Sequence, residues 1–369
     1  MSEGRRIIHK SAGKPRTSRR SERCLPTLDT KLPDPSDNST NELITTRTFN
    51  RVERMAAAAQ RRQAQVQTLA YSPRDFVLCS LPYKRVKGLE YERRNGRFHL
   101  EVIGHPRHGV PFGQDRLLPI WLATAFQVMK CPSDNTIFFR CARDILRAFK
   151  ITPDGRQHAR LRDRIERVFA ATYIVHDLQD SKLTRGKRYQ LMRELELSFQ
   201  RRAAVNQYCL WENRIELDPQ FASDIRQSPV PIDLDTVVAL KDSPGALDLY
   251  IWQAYRSWVL HKKKLVRPIP IPVFGALGLL AQLGSQIQSP RKARQQLSRA
   301  QRLIKAAWPE CPNFFDAKQD RFFVRPARAL HTNAKIVLPG VRPKPPSDLQ
   351  RSTKPDLVLS RADDSQPVR

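Results

Sequence analysis

Between about residues 70 and 340 the apolar positions of the chain keep regular periods, and outside that span they do not. Phe98 to Ile103 alternates apolar and polar side chains, as a strand with one buried face does. Asp115 to Met129 (DRLLPIWLATAFQVM) contains a largely buried helix. Pro119 suits a first helical position, so that helix is expected to start near Leu118. A short strand, Thr136 to Phe139, a helix from Ala142 to Phe149, a turn at Thr152-Pro153-Asp154-Gly155 and a longer helix from Arg156 to about Ala171 follow. Helix, Gly-containing turn, helix is the order of a helix-turn-helix.

Lys187 to Gln200 and Gln207 to Leu217 alternate again (Leu191, Leu195, Leu197, Phe199; Tyr208, Leu210, Ile215, Leu217) and predict a β-hairpin. A helix-turn-helix closed by a hairpin is a winged helix. The same order then recurs after Pro229 and Pro231. A helix opens at Ser243-Pro244, with Ser at the N-cap and Pro in the first turn, and runs to about Leu260. A strand around Pro268 to Val273, a helix from Phe274 to Leu283, a turn at Gly284-Ser285, a basic helix from Arg291 to Ala307 and a wing strand at Phe322 to Val324 complete the copy. The expected fold class is therefore α+β: tandem winged-helix (helix-turn-helix) domains with disordered basic tails. The expected boundaries are a basic N-terminal tail over 1–70, a first winged helix over 71–228, a second over 229–330 and a Pro-rich C-terminal tail over 331–369. Inside the first tail, Phe49 to Leu69 is rich in Ala, Gln and Arg and predicts a short helix.

Charge adds a partner to this outline. Lys and Arg number 65 against 36 Asp and Glu, a formal charge of +29, which calls for a polyanion. Charge alone fits an RNA-binding protein equally well; the repeated helix-turn-helix narrows the choice to DNA. A recognition helix must bury one stripe and present cations from another. In the first copy Leu161, Ile165, Val168 and Phe169 form the apolar stripe, while Arg156, Arg160, Arg164 and Arg167 share a second face, where Asp163 and Glu166 could absorb part of the charge. In the second copy Ala293, Leu297, Ala300 and Ile304 point inward, and Arg291, Arg294, Ser298, Arg302 and Lys305 line up elsewhere, with Lys292 and Arg299 further round. No acidic residue interrupts Arg291 to Pro309, which favours this helix as the DNA contact. The basic turn from Lys182 to Arg188, including Lys187 and Arg188, reads either as a wing contact to DNA or as a solvated loop. His261-Lys262-Lys263-Lys264 likewise reads either as a contact to DNA or as a charged helix end that complements the dipole.

Other chemistries are missing their residues. Cys24, Cys79, Cys131, Cys141, Cys209 and Cys311 are scattered, without metal-ligand spacing, and read as reduced, mostly buried thiols. His105 and His108 sit in a Gly- and Pro-containing loop, an arrangement unsuited to a nuclease metal. No phosphate-cradling G-x-x-x-x-G-K-[ST] loop and no nucleophile elbow occurs, so no catalytic residue, metal or cofactor is expected. Trp121, Trp211, Trp252, Trp258 and Trp308 sit mostly among apolar neighbours and read as core. The N-terminal stretch lacks an apolar signal region, and Val273 to Leu283 is too short to span a bilayer. The expected location is the cytoplasm, with no membrane contact.

Several segments are more specific. Val110-Pro111-Phe112-Gly113-Gln114-Asp115-Arg116 running into Pro119-Ile120-Trp121-Leu122-Ala123-Thr124, and Ser228-Pro229-Val230-Pro231-Ile232-Asp233-Leu234 with Ser243 through Trp252, resemble plasmid-encoded RepA replication proteins over roughly residues 75 to 330. The resemblance implies initiators that bind repeated double-stranded sites at a plasmid origin, help open the adjacent duplex and recruit the host helicase, its loader and the host initiator. It also implies monomers at origins and homodimers when such proteins repress their own genes. A transcriptional regulator bound to a single operator is the competing reading, and a relaxase or rolling-circle nuclease a third.

Overall fold

The computed structural model describes residues 38–180, 183–197 and 213–341. It divides into a unit Met1–Arg47, whose described part is the start of one helix, and a unit Thr48–Arg369 that holds the remaining elements. Of the tails expected over 1–70 and 331–369, residues 1–37 and 342–369 lie outside the described residues. The described parts hold a helix and the start of a strand before residue 70 and a short strand at Lys335–Ile336, so they are not tail. Helix α1 (Asn38–Gln63) is longer than the short helix expected within 49–69. From Thr48 onward its buried residues Met55, Ala58 and Arg62 are three and four apart, a narrow stripe that suits its polar composition. Arg62 adds polar anchorage: its guanidinium lies 4.7 Å from the Trp308 ring, 2.8 Å from Glu310 and 2.6 Å from the Ala329 carbonyl.

The first copy begins with β1 (Thr68–Pro73), α2 (Arg74–Leu78), β2 (Glu90–Asn95) and β3 (Phe98–Ile103). A 3-10 turn, Gly113–Arg116, leads into α3 (Leu117–Val128), which is buried on every side through Phe126. Then come β4 (Thr136–Phe139), α4 (Ala142–Ala148) and α5 (Gly155–Phe169). The Asp154 carboxylate caps α5 by accepting from the Gln157 amide at 2.7 Å, so the Thr-Pro-Asp-Gly turn fixes where this helix starts. Strands β5 (Thr172–Asp180), β6 (Leu183–Tyr189), β7 (Met192–Glu196) and β8 (Asn213–Leu217) follow.

Helix α6 (Pro219–Gln227), capped by Asp218, and β9 (Pro229–Asp233) connect to the second copy, which continues with α7 (Leu234–Leu240), α8 (Pro244–Lys262), β10 (Ile269–Pro272), α9 (Leu279–Gln282) and α10 (Pro290–Ala307). Strands β11 (Phe314–Asp316), β12 (Arg321–Val324) and β13 (Lys335–Ile336) end the described chain.

Two sheets share one order. In the first copy it is β4-β8-β7 and in the second β10-β12-β11, so each places the strand before its helix-turn-helix beside the last strand of its wing. In each copy a tryptophan of the preceding helix meets a sheet phenylalanine edge-on, but on different strands: Trp121 of α3 meets Phe139 of the edge strand β4 at 5.0 Å, and Trp252 of α8 meets Phe322 of the central strand β12 at 5.8 Å. The fold is α+β, and two of its three-stranded sheets repeat one strand order. Strand β1 joins the copies by pairing antiparallel with β9 and parallel with β13.

The structure corrects two expected elements. The first wing starts at Met192, not Lys187: Lys187 to Tyr189 belong to β6, in a separate sheet ordered β2-β3-β5-β6. The change of sheet falls where Leu191 and Met192 are both buried, a break in the period-2 pattern. In the second copy the helix expected over Phe274–Leu283 shrinks to α9. Gly275 has φ +91°, a conformation that no helix continues through, so residues up to Gly278 form turns instead.

Candidate nucleic-acid interface

Helix α5 buries Leu161, Ile165 and Val168, with Phe169 half-buried beside them, as its periodicity requires. Its arginines do not form one free face. Arg156 and Arg160 are exposed, whereas Arg164 and Arg167 turn back onto the 3-10 turn before α3. Arg167 pairs with Asp115 at 2.6 Å and stacks over Phe112 at 4.7 Å. Arg164 donates to the Gln114 side-chain oxygen at 2.5 Å. Burial, working against the pull of Asp115, holds the Arg164 guanidinium below its ordinary pKa.

Helix α10 buries Ala293, Leu297, Ala300, Gln301, Ile304 and Ala307. Arg291, Lys292, Arg299, Arg302 and Lys305 are exposed, and Ser298 is half-buried. Arg294 is different, because it holds both oxygens of Asp320 at 2.7 Å and lies over the Phe274 ring. Asp320 sits in the β11–β12 turn, so Arg294 ties the helix to its own wing. Each partner favours the other's charged form: the Asp320 carboxyl is held below, and the Arg294 guanidinium above, its usual range.

The remaining cations divide in the same way. Lys187 is not in the wing: it faces inward from β6 and contacts Asp75 at 2.7 Å and Asp224 at 2.5 Å. Arg188, its neighbour, is exposed on the same strand. Lys262 lies in the last turn of α8, where the sequence placed it. The pattern of single helices did not reveal Arg51 of α1. Its Nε and Nη2 are buried without a hydrogen-bond partner, and burial followed by the nearby Arg299 charge lowers its pKa. A basic position in a helix of low apolar content was the signal available, and it does not show that α1 lies near α10. Among the described residues no group of His, Cys, Asp and Glu is arranged to hold a metal ion, and no helix is long and apolar enough to cross a membrane. Cys79, Cys131, Cys141 and Cys311 are free thiols; Cys24, Cys209 and Trp211 lie outside the described residues.

Residues 145–269 match the family model described as plasmid encoded RepA protein. This segment is similar to plasmid-encoded RepA proteins. The RepA-type segment runs from inside α4 through α5, both strands of the first wing and α8 to the first residue of β10. It includes Ser228–Leu234 and Ser243–Trp252, while the Val110–Thr124 segment and helix α10 fall outside it. No curated protein matches the chain. Among solved structures, a crystal structure of domains 2 and 3 of RctB superposes with a TM-score of 0.41 at 14% identity, covering 63% of this chain and 85% of that one. A second RctB structure of domains 2–3 gives 0.32 at 12% identity over 66% and 85%.

Proposed function

We propose that this protein is a plasmid replication initiator that binds repeated origin sites through α5 and α10, promotes opening of the adjacent duplex and recruits the host helicase machinery without cutting DNA. The observation that carries the reading is the repeated winged-helix strand order, each copy presenting a basic helix between its first and second sheet strands, in a chain with a RepA-type segment. The proposed division is a first winged helix over 71–228 and a second over 229–330.

The proposed contacts are Arg156 and Arg160 on α5 and Arg291, Ser298, Arg302 and Lys305 on α10, with Lys292 and Arg299 as flanking phosphate ligands. Arginine can read guanine through two hydrogen bonds in the major groove, whereas cations further round would neutralise phosphates. Arg164, Arg167, Lys187 and Arg294 serve the fold instead, because carboxylate or amide oxygens of the protein already occupy them.

The test is a gel-shift and footprint series on the DNA flanking the gene. An initiator gives a ladder of retarded species, footprints spaced as direct repeats, and no nick. A single retarded species on one operator would favour a transcriptional regulator, and a covalent protein–DNA adduct would favour a nuclease.

A further inference from the structure

Trp258 breaks the pattern set by the other described tryptophans. Trp121, Trp252 and Trp308 are at most 1% exposed, but Trp258 on α8 is 38% exposed. It lines a groove of about 640 Å³ between the C-terminal turns of α8, strands β1 and β9, and the segment 328–334. Pro231, Tyr255 and Leu330 supply further apolar wall. Leu265 and Val266, just beyond the helix, are exposed at 42% and 87% and continue the apolar character outward.

The groove has cations along it and no carboxylate among its lining residues. Lys262 sits 5.1 Å from the Trp258 ring, and Arg328 donates to His261 Nε2 at 3.0 Å. Lys264 lines it as well. A basic helix end alone would be explained by the helix dipole. The dipole does not explain an exposed indole, an apolar trough and three cations in one place. Nor is this the DNA surface, since no residue of α5 or α10 lines the groove. Nucleic acid would satisfy the cations but would leave the apolar wall in water. An apolar peptide face flanked by carboxylates would satisfy both.

We infer that this groove docks an acidic amphipathic peptide segment of a protein partner, its apolar side chains against Trp258 and Tyr255 and its carboxylates on Lys262, Lys264 and Arg328. The contact is independent of the DNA-reading helices, so both could be engaged together.

The probe is a fluorescein-labelled peptide of about sixteen residues with Leu or Phe at i, i+3, i+4 and i+7 and Glu elsewhere, titrated with the full chain by anisotropy. Two controls separate docking from general attraction to a strongly basic chain: the same peptide with Glu replaced by Lys, and one with its apolar anchors replaced by Ala. The expected result is that both controls bind at least about tenfold more weakly. Trp258→Ala, and separately the double variant Lys262→Glu with Lys264→Glu, should each weaken the probe by about tenfold while leaving duplex DNA binding intact. The two lysines are exposed, so the double variant decides the matter should Trp258→Ala fold poorly. Equal binding of the probe and the anchorless control, unchanged binding by both variants, or displacement of the probe by duplex DNA would each overturn the assignment. So would a marked gain in probe affinity on deleting residues 342–369, which contain Asp356-Leu357-Val358-Leu359, because the chain's own tail would then be the occupant.

Discussion

Arg167 of α5 and Asp115 of the 3-10 turn are joined by two hydrogen bonds, at 2.6 and 3.3 Å, and Asp115 is almost wholly buried. The residues on either side of Asp115 extend this link. Gln114 accepts from Arg164 and donates to Asp242 at 2.9 Å. Arg116 pairs with the buried Asp248 of α8 and donates to the carbonyls of Leu81 and Pro82 at 3.0 and 2.9 Å. Three consecutive side chains therefore connect the first basic helix to the first long helix of the second copy. The segment Val110–Arg116, which looked like a family signature in the sequence, is a joint between α5 and the start of α8.

Removing one partner of a buried pair leaves the other charge without compensation, which costs about 3–5 kcal/mol. Asp115→Ala should therefore lower the unfolding free energy by about 3 kcal/mol, read as a shift in the urea midpoint. The same variant should weaken binding to a site spanning both helices more than binding to a half-site. Arg160→Ala should do the opposite, weakening DNA binding with no shift in the urea midpoint. If Asp115→Ala unfolds at the wild-type midpoint, the joint does not hold the two copies together.

The two α10 arginines are expected to behave differently. Arg302 is exposed, whereas Arg294 is held by Asp320. Arg302→Ala should reduce the slope of log affinity against log salt by about one unit, as the loss of one phosphate contact does. Arg294→Ala should leave that slope within about half a unit of wild type. A full unit lost at Arg294 would mean that DNA displaces Asp320 from the pair.

Much of this architecture was legible in the sequence. Phe98–Ile103 and Thr136–Phe139 were placed as strands at their observed bounds, because alternation and short apolar runs record local burial. The basic helices α5 and α10 were also legible, each with its apolar stripe. Interactions between distant segments were not. Asp115 lies 52 residues from Arg167, and Asp320 lies 26 from Arg294, so helical periodicity counted both arginines as available to a ligand. Strands β5 and β6 were missed for a related reason. They pair with β2 and β3 across a long separation, and Lys187 on β6 looks like a solvent-facing residue until Asp75 and Asp224 are brought beside it.

Gly284 tests the packing between the copies. Its carbonyl accepts from the Tyr83 amide at 3.2 Å, and a Cβ placed there would lie 1.9 Å from the Leu81 carbonyl oxygen. A backbone atom cannot swing aside as a flexible side chain can, so the segment 80–83 would have to move. Gly284→Ala is expected to destabilise the fold by about 1–3 kcal/mol, the usual cost of overpacking. It adds no charge and removes none, so it should leave the salt dependence of DNA binding unchanged. Wild-type thermal stability in this variant would show that the two segments are not in contact.

Lys241 gives a pH test with a definite sign. Its side chain is buried, and its ammonium donates to the carbonyls of Phe149 and Lys150 at 2.7 and 2.8 Å, at the end of α4. Burial first, and then the charges of Arg54 and Lys150, push its pKa down to about 8 against the pull of Asp242. The unfolded chain holds this proton up to a pKa of about 10.4. Between those values the unfolded state binds more protons than the folded one, so this group's contribution to stability rises with pH. Below about 8 both states are protonated, and the desolvation cost is fully present. Lys241→Met removes the titration together with the two hydrogen bonds. The unfolding free energy of wild type relative to this variant should therefore be flat from pH 6 to about 7.5 and then climb by up to roughly 3 kcal/mol toward pH 10.5. Taking the difference cancels the buried tyrosines, whose raised pKa values act in the opposite direction at the alkaline end. A flat difference throughout would place the Lys241 ammonium in water, and a falling one would mean that the two carbonyls hold its charge more strongly than burial opposes it.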